Sequence, residues 1–162
     1  MNNMRDNAGV IAPPPLMAMA VVVLGLALDW LLPAYVLTVL LPLTARLVVG
    51  VLLLAASAAL AVPAIRAFRT AGTHVEPWKA SSALVTDGIF RFVRNPMYVG
   101  LILLLAGLSV LLASDWMLVM TVVQVPVLHF GVVKREERYL AAKFGDAYRR
   151  YRDAVPRYGW PG

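Results

Sequence analysis

Four long apolar stretches constrain this chain more than any other feature. They cover residues 16–32, 43–65, 97–113 and 116–133, and each approaches the roughly 20 residues that a helix needs to cross the hydrocarbon layer of a bilayer. The sequence therefore predicts an all-α, polytopic membrane protein with about four transmembrane helices.

The composition supports a membrane protein over a soluble domain. Apolar residues make up 60% of the 162 residues and charged residues only 15%, with a mean hydropathy of +0.74. Soluble domains are only roughly half apolar. The absence of cysteine excludes disulfides and thiolate zinc sites, and His74 and His129 are too far apart in sequence to suggest a metal cluster.

The basic residues follow the rule that cytoplasmic loops are positive. Thirteen of the 15 Lys and Arg residues fall within residues 63–96 and 134–162. We interpret this distribution as membrane topology and expect no nucleic-acid partner. It predicts cytoplasmic termini and a cytoplasmic loop at residues 66–93, with Arg46 and Asp115 near the outer surface. The small size and the Ala/Val/Leu-rich helices favour a bacterial inner membrane.

The order of these segments suggests three parts. Residues 1–15 form a polar N-terminal tail, and residues 16–65 form two transmembrane helices. Residues 66–162 form the functional core, which contains the cytoplasmic loop, a helix hairpin and a C-terminal helical cap. Because only Ser114 and Asp115 separate the third and fourth apolar stretches, the hairpin must be tight.

The segment Arg94-Asn95-Pro96-Met97-Tyr98-Val99-Gly100 marks the start of the third transmembrane helix. Asn95 suits an N-cap, and Pro96 suits the first helical turn, where its missing N–H costs nothing. The positive end of this helix, with Arg94 beside it, can receive an anionic group. Gly100 allows a ligand or another backbone to approach closely.

A second motif, Lys134-Arg135-Glu136-Glu137, follows the last apolar stretch. Taken alone, Glu136 and Glu137 fit a solvated charged face paired with Lys134, Arg135 and Arg138, although a carboxylate such as Glu136 is also a suitable ligand-binding acceptor. His129 lies seven residues before Glu136, so the two share a face if the helix is continuous. His129 is either functional or a neutral histidine bonded to a neighbouring helix.

Five pieces of sequence together carry a family resemblance. They are residues 84–90, residues 94–100, the Glu136-Glu137 pair, residues 144–148, and Tyr151 with Pro156-Arg157. In this order and spacing they resemble the membrane methyltransferases that include isoprenylcysteine carboxyl methyltransferase and phosphatidylethanolamine N-methyltransferase. The resemblance covers about residues 82–157.

The resemblance implies an S-adenosylmethionine pocket at the cytoplasmic face, covered by the loop before the third helix and by the C-terminal segment, with a side opening to lipid. It also favours Glu136 as a ligand-binding acceptor and Glu137 as the ion-pair residue. Together with the motifs above, the resemblance gives a set of expected site residues. The expected cofactor-binding residues are Ser82, Ala83, Leu84, Val85, Phe90, Asn95, Pro96, Met97, Tyr98, Gly100, Glu136 and Glu137. The expected catalytic residues are His129 and Arg94, and no metal is expected.

Three positions depart from the family pattern. Phe90 stands where relatives often have tyrosine, and Asn95 replaces a histidine found in many of them. Prenylcysteine-specific members have an arginine one turn before the first glutamate, and here that residue is Val132. This difference argues against a prenylcysteine substrate.

The sequence therefore predicts an integral membrane methyltransferase that acts on a lipophilic small molecule or lipid by O-, carboxyl- or N-methylation. One alternative is a sterol-reductase-like, NADPH-dependent membrane reductase, for which the chain is short. The other is a non-enzymatic membrane scaffold, in which the two motifs only cap and anchor helices.

Overall fold

A computed structural model describes residues 6–159 as an α-helical protein in which no β-strand occurs within those residues. Its elements in chain order are α1 (Pro14–Leu31), α2 (Val36–Leu40), α3 (Leu43–Thr70), a 3₁₀ helix (Gly88–Arg91), α4 (Pro96–Leu112), α5 (Asp115–Leu128), a π-helix (His129–Val133) and α6 (Lys134–Ala154). The predicted all-α class is confirmed. The predicted N-terminal tail and C-terminal cap include residues 1–5 and 160–162, which lie outside the described residues.

The helices match the four predicted membrane segments. Three are long and apolar enough to cross a bilayer, namely α1, α3 and the continuous helical stretch that starts with α5; α4 is a shorter apolar helix. Helix α3 continues through Pro63 to Thr70, so the predicted loop at residue 66 begins later than expected. Its 28 residues span about 42 Å, more than the roughly 30 Å of hydrocarbon, and its basic last turns therefore extend beyond the apolar layer.

Small residues bring α3 and α4 close together. Ser57 Oγ on α3 donates to the Gly100 carbonyl on α4 at 2.7 Å, and a Cβ on Gly100 would lie 3.2 Å from the Ser57 carbonyl oxygen. A Cβ on Gly107 would lie 3.1 Å from the Gly50 carbonyl oxygen. Backbone contact of this kind is how helices associate in lipid, where burial of apolar side chains supplies little driving force.

Helices α1 and α5 also meet through a glycine. A Cβ on Gly25 would lie 2.5 Å from Met117 Cα, so this position requires the absence of a side chain. Met117 is fully buried and forms a small core with Val21 and Leu105. The core thus joins α1, α4 and α5 into one bundle.

The predicted hairpin between α4 and α5 is confirmed. Helix α4 is followed by its C-cap residue Ala113, which has a left-handed φ of 51°. Ser114 Oγ accepts a hydrogen bond from Met117 N as the N-cap of α5. The Asp29 carboxylate of α1 also bonds the Ser114 hydroxyl. Asp115 Oδ1 and Oδ2 accept the N–H groups of the first turn of α2, so this end of the bundle is held by side chains that cap helices.

Helix α6 is polar and forms the predicted C-terminal cap outside the apolar bundle. A π-helix separates it from α5, and its axis bends at Gly145, where φ is 53°. The N-terminal segment before α1 runs beside the π-helix and α6, since Ile11 N donates to Gly131 O at 3.2 Å and Arg135 Nη1 donates to Gly9 O at 2.9 Å. This end of the molecule carries both sequence motifs.

Candidate active site

The two sequence motifs meet at the junction of α4 and α6. Tyr98 lies in the first turn of α4 and Glu136 in the first turn of α6, and Tyr98 Oη donates to Glu136 Oε2 at 2.8 Å. Glu136 Oε1 has no hydrogen-bond partner within residues 6–159. The carboxylate is therefore oriented by the protein while one oxygen remains available.

Glu137 lies at the centre of an ion-pair network. Arg157 binds it in a bidentate manner, with Nε to Oε1 at 2.7 Å and Nη2 to Oε2 at 2.8 Å, and Arg94 Nη1 donates to Oε1 at 2.7 Å. The side chains of Arg94 and Glu137 are only 8% and 14% exposed. Glu137 is thus an ion-pair residue, but its partners come from distant segments and not from the neighbouring Lys134, Arg135 and Arg138.

Asn95 occupies the N-cap position of α4, but its side chain does not cap the helix. Its Nδ2 donates to Arg157 O at 3.2 Å, and the backbone N–H groups of Arg94 and Asn95 donate to the carbonyls of Pro156 and Arg157. Asn95 is therefore the N-cap residue by position, as predicted, but the expected side-chain capping bond is absent and the amide is directed toward Arg157 instead. The C-terminal segment is thereby fixed against the start of α4.

Two cavities share the residues at this junction. The first, of about 50 Å³, is lined by polar and apolar groups that include Glu136, Glu137, Ala83, Leu84 and Val85. The second, of about 400 Å³, is mostly apolar and lies between α1, α4 and the loop after α3. Both contain the same four residues in their walls, namely Phe68, Phe90, Arg94 and Asn95. We call them the polar cavity and the apolar cavity.

Most of the expected cofactor-binding residues lie in these walls. Pro96, Met97 and Tyr98 line the apolar cavity. Ser82 lines neither cavity, and its N–H and that of Ala83 already donate to Thr73 Oγ1. Gly100 also lines neither, because it packs against α3 as described above.

The predicted catalytic histidine lies apart from the two cavities. His129 Nδ1 is 2.8 Å from Tyr158 Oη, and His129 lines neither cavity. The expectation that it shares a face with Glu136 assumed a regular α-helix. The intervening π-helix changes the number of residues per turn, so a spacing of seven no longer corresponds to two regular turns.

The other predicted catalytic residue, Arg94, is at the centre. Its Nε donates to Val155 O at 2.8 Å and its Nη1 reaches both Glu137 and Tyr148 Oη, the latter at 3.3 Å. These contacts fix the guanidinium between the two cavities. They indicate that Arg94 helps to position Glu137 and Tyr148. Arg94 also places a positive charge in the wall that the two cavities share.

Burial and charge set the ionisation of the two glutamates, both of which lie in α6 beyond the spanning part of α5. Burial raises the pKa of Glu136 to about 7, although the Tyr98 hydrogen bond opposes this effect. Burial alone would raise the pKa of Glu137, but Arg157 and Arg94 bring it below its usual value. The two adjacent carboxyl groups therefore differ in ionisation. Glu137 is ionised, whereas Glu136 gains or loses its proton near neutral pH.

Several wall residues had no clear signal in the sequence. Phe68 packs edge-on against Phe90 with ring centroids 5.3 Å apart, and Tyr151 Oη donates to Phe90 O at 2.8 Å. Tyr139 Oη accepts from Ser81 N and so holds the loop over the polar cavity. Only the aromatic spacing of Tyr148 and Tyr151 was visible in sequence, where it also fitted an interfacial helix.

The fold and this junction define an integral membrane protein with a polar site beside an apolar cavity. The chain belongs to the phospholipid methyltransferase family, whose sequence model matches residues 45–147. This confirms the resemblance drawn from the motifs.

Individual relatives match over shorter stretches. The chain is 37% identical over 73 residues to protein-S-isoprenylcysteine O-methyltransferase of Schizosaccharomyces pombe, which is 45% of this chain and 31% of that protein. It is 36% identical over 62 residues to an uncharacterized protein of Haemophilus influenzae, covering 38% of this chain and 98% of the other. The chain thus spans about a third of the length of the fission yeast enzyme. No solved structure matches it significantly.

Proposed function

We propose that this protein is an S-adenosylmethionine-dependent membrane methyltransferase that acts on a lipophilic small molecule or lipid. The observation that carries the proposal is the shared wall between the polar and apolar cavities. A methyl transfer requires a polar donor and, here, an apolar acceptor to meet at one point. Phe68, Phe90, Arg94 and Asn95 form such a boundary.

The residues at the polar cavity fit the chemistry of the methyl donor. The available oxygen of Glu136 is an acceptor for ribose hydroxyls or an ammonium group. Arg94 provides positive charge for a carboxylate, and Ala83, Leu84 and Val85 line the same cavity. When bound, S-adenosylmethionine would supply a methyl group already activated on a sulfonium.

The contribution of the protein is then to orient and desolvate the reactants. Tyr98 and Glu136 hold one side of the junction, and the Glu137 network fixes Arg94 on the other. The acceptor atom would be an oxygen or a nitrogen held at the inner end of the apolar cavity. Leu101 and Leu104 of α4 and Pro14 and Ala18 of α1 give that cavity an apolar wall suited to a hydrocarbon chain.

Binding also requires movement of the loop before α4. The polar cavity, of about 50 Å³, is far smaller than the roughly 300–1,000 Å³ of typical small-molecule sites. The loop is flanked by Gly72 and Gly88, which have left-handed φ values of 62° and 61°, and a Cβ at either position would meet no atom within 4 Å. We propose that rotations at these two glycines admit the cofactor.

The identity of residue 132 is relevant to which molecule accepts the methyl group. Val132 is fully buried in the π-helix, so this position offers no charge to an acceptor carboxylate. This supports an acceptor other than prenylcysteine. We further propose that the protein lies in a bacterial inner membrane. The active site would face the cytoplasm, because the end of α3 and α6 carry most of the basic residues.

Calorimetric titration of the detergent-purified protein tests the proposal. S-adenosylmethionine and S-adenosylhomocysteine are titrated into the wild type and into Glu136→Gln, and reduced nicotinamide dinucleotide phosphate is titrated in parallel. Asp146→Asn is the matched control, because Asp146 is an exposed carboxylate of the same helix. Binding of the methionine-derived ligands that weakens only in Glu136→Gln is expected. Binding of the dinucleotide alone would favour a reductase, and absence of all binding would favour a scaffold.

A further inference from the structure

A groove of about 420 Å³ lies beside the active site, where α5 passes into α6. Its wall includes Phe130 from the π-helix, Lys134 and Arg138 from the first turns of α6, and Arg152 from beyond the bend at Gly145. The groove lacks Phe68, Phe90, Arg94 and Asn95, the residues that the two cavities share. It is therefore distinct from the wall where methyl transfer is proposed, although it adjoins the polar cavity.

The groove is positively charged. Lys134, Arg138 and Arg152 all expose their side chains, and the carboxylate in the wall, Glu137, is already held by two arginines of the active-site network. The three cations make limited contacts of their own. Lys134 Nζ lies 5.2 Å from the centre of the Phe130 ring, Arg138 Nε donates to Lys134 O, and Arg152 Nε lies 3.1 Å from an exposed Asp153.

The groove also continues an apolar surface. Val119, Val122 and Val123 of α5 are 45%, 64% and 52% exposed, as expected for side chains that face lipid. Phe130, 62% exposed, lies at the end of this surface next to Lys134. An apolar face that ends in a group of cations matches the two parts of a phospholipid, with acyl chains along the helix and a phosphate at the bilayer surface.

We infer that this groove binds the phosphate of an anionic phospholipid from the leaflet that faces α6, as a ligand distinct from the methyl acceptor. Three cations around one groove favour a lipid with net negative charge over a zwitterionic one. Glu137 and Tyr148 line both this groove and the polar cavity, so the bound headgroup would lie next to the residues that hold Arg94. The inference does not depend on the proposed reaction.

Native mass spectrometry of the full-length protein, released from a neutral detergent, tests the inference. The protein is titrated with phosphatidylglycerol and with phosphatidylcholine of the same acyl chains. We expect tighter binding of phosphatidylglycerol, and a loss of about fivefold in its affinity for each of Lys134→Gln, Arg138→Gln and Arg152→Gln. Phosphatidylcholine binding should change little in these variants.

Arg149→Gln and Arg150→Gln are the matched controls, because these arginines are exposed on the same helix but do not line the groove. They should retain wild-type affinity, and Lys134→Arg should retain it as well. An equal loss in the control variants would show general attraction of α6 to anionic surfaces and would overturn the inference. Displacement of the lipid by millimolar inorganic phosphate would identify a site for a soluble anion and would also overturn it.

Discussion

Tyr98 Oη donates to Glu136 Oε2 at 2.8 Å and so joins two helix starts that are 38 residues apart in sequence. The bond connects the motif that begins α4 with the motif that begins α6. It also orients the carboxylate with one oxygen free for a ligand. The relationship between these two residues therefore underlies the first two predictions.

Replacing Tyr98 by phenylalanine should weaken binding of S-adenosylmethionine. The variant keeps the aromatic ring but removes the donor that orients and stabilises the Glu136 carboxylate, and a hydrogen bond to a charged group contributes about 1.5–3 kcal/mol. We expect an affinity loss of about tenfold at pH 7.5 by calorimetry. Tyr35→Phe, at an exposed tyrosine near the other end of the bundle, should bind as the wild type does. Unchanged affinity in Tyr98→Phe would argue against a ligand at Glu136.

Binding should depend on pH through Glu136. Because its pKa is raised to about 7, the carboxyl is protonated and a poor acceptor below that pH, and ionised above it. A ligand that needs the carboxylate should bind about tenfold more weakly at pH 6 than at pH 8. Titrations across this range should show the change in the wild type, while Glu136→Gln should lose it. A flat profile in the wild type would contradict the assigned role.

Removing Arg94 should destabilise the protein as well as the site. The buried Glu137 carboxylate would lose one of its two arginine partners, and breaking a buried pair costs about 3 kcal/mol. Arg94→Met should therefore lower the free energy of unfolding in a detergent denaturation series followed by circular dichroism. Arg91→Met removes an exposed pair with Asp87 and should have little effect. Equal stabilities for the two variants would show that the network does not support the fold.

The contact between α1 and α5 should be weakened by any side chain added at Gly25. A methyl group there would meet the backbone of Met117, which cannot move aside as a flexible side chain could. We expect Gly25→Ala to lower the free energy of unfolding by about 1–3 kcal/mol in the same assay. Ala27→Val, on the exposed face of α1, should leave it nearly unchanged.

The sequence was sufficient to predict the helices and the residue at which α4 begins. Apolar length predicted the membrane segments, and Pro96 placed the first helical turn correctly because proline restricts the local backbone. The tight hairpin at Ser114-Asp115 followed from the same kind of local argument. The order of the motifs was sufficient to predict the family to which the chain belongs.

The sequence was not sufficient to predict contacts between residues that lie in distant segments of the chain. Nothing near Glu137 in sequence indicates that Arg94 and Arg157 bind it, since the adjacent cations were equally plausible partners. The π-helix between His129 and Glu136 and the close approach of Gly100 to α3 were also not apparent from the sequence. Each of these depends on how two or more helices pack.

The sequence by itself therefore determined the membrane class, the helices and the chemical types of residue at the junction, because these depend on hydrophobic length and local backbone preference. Only the tertiary structure decided which arginines pair with Glu137, which hydroxyl orients Glu136, and which side chains separate the two cavities. These features depend on distances between segments that are far apart in the chain, and helix packing sets those distances.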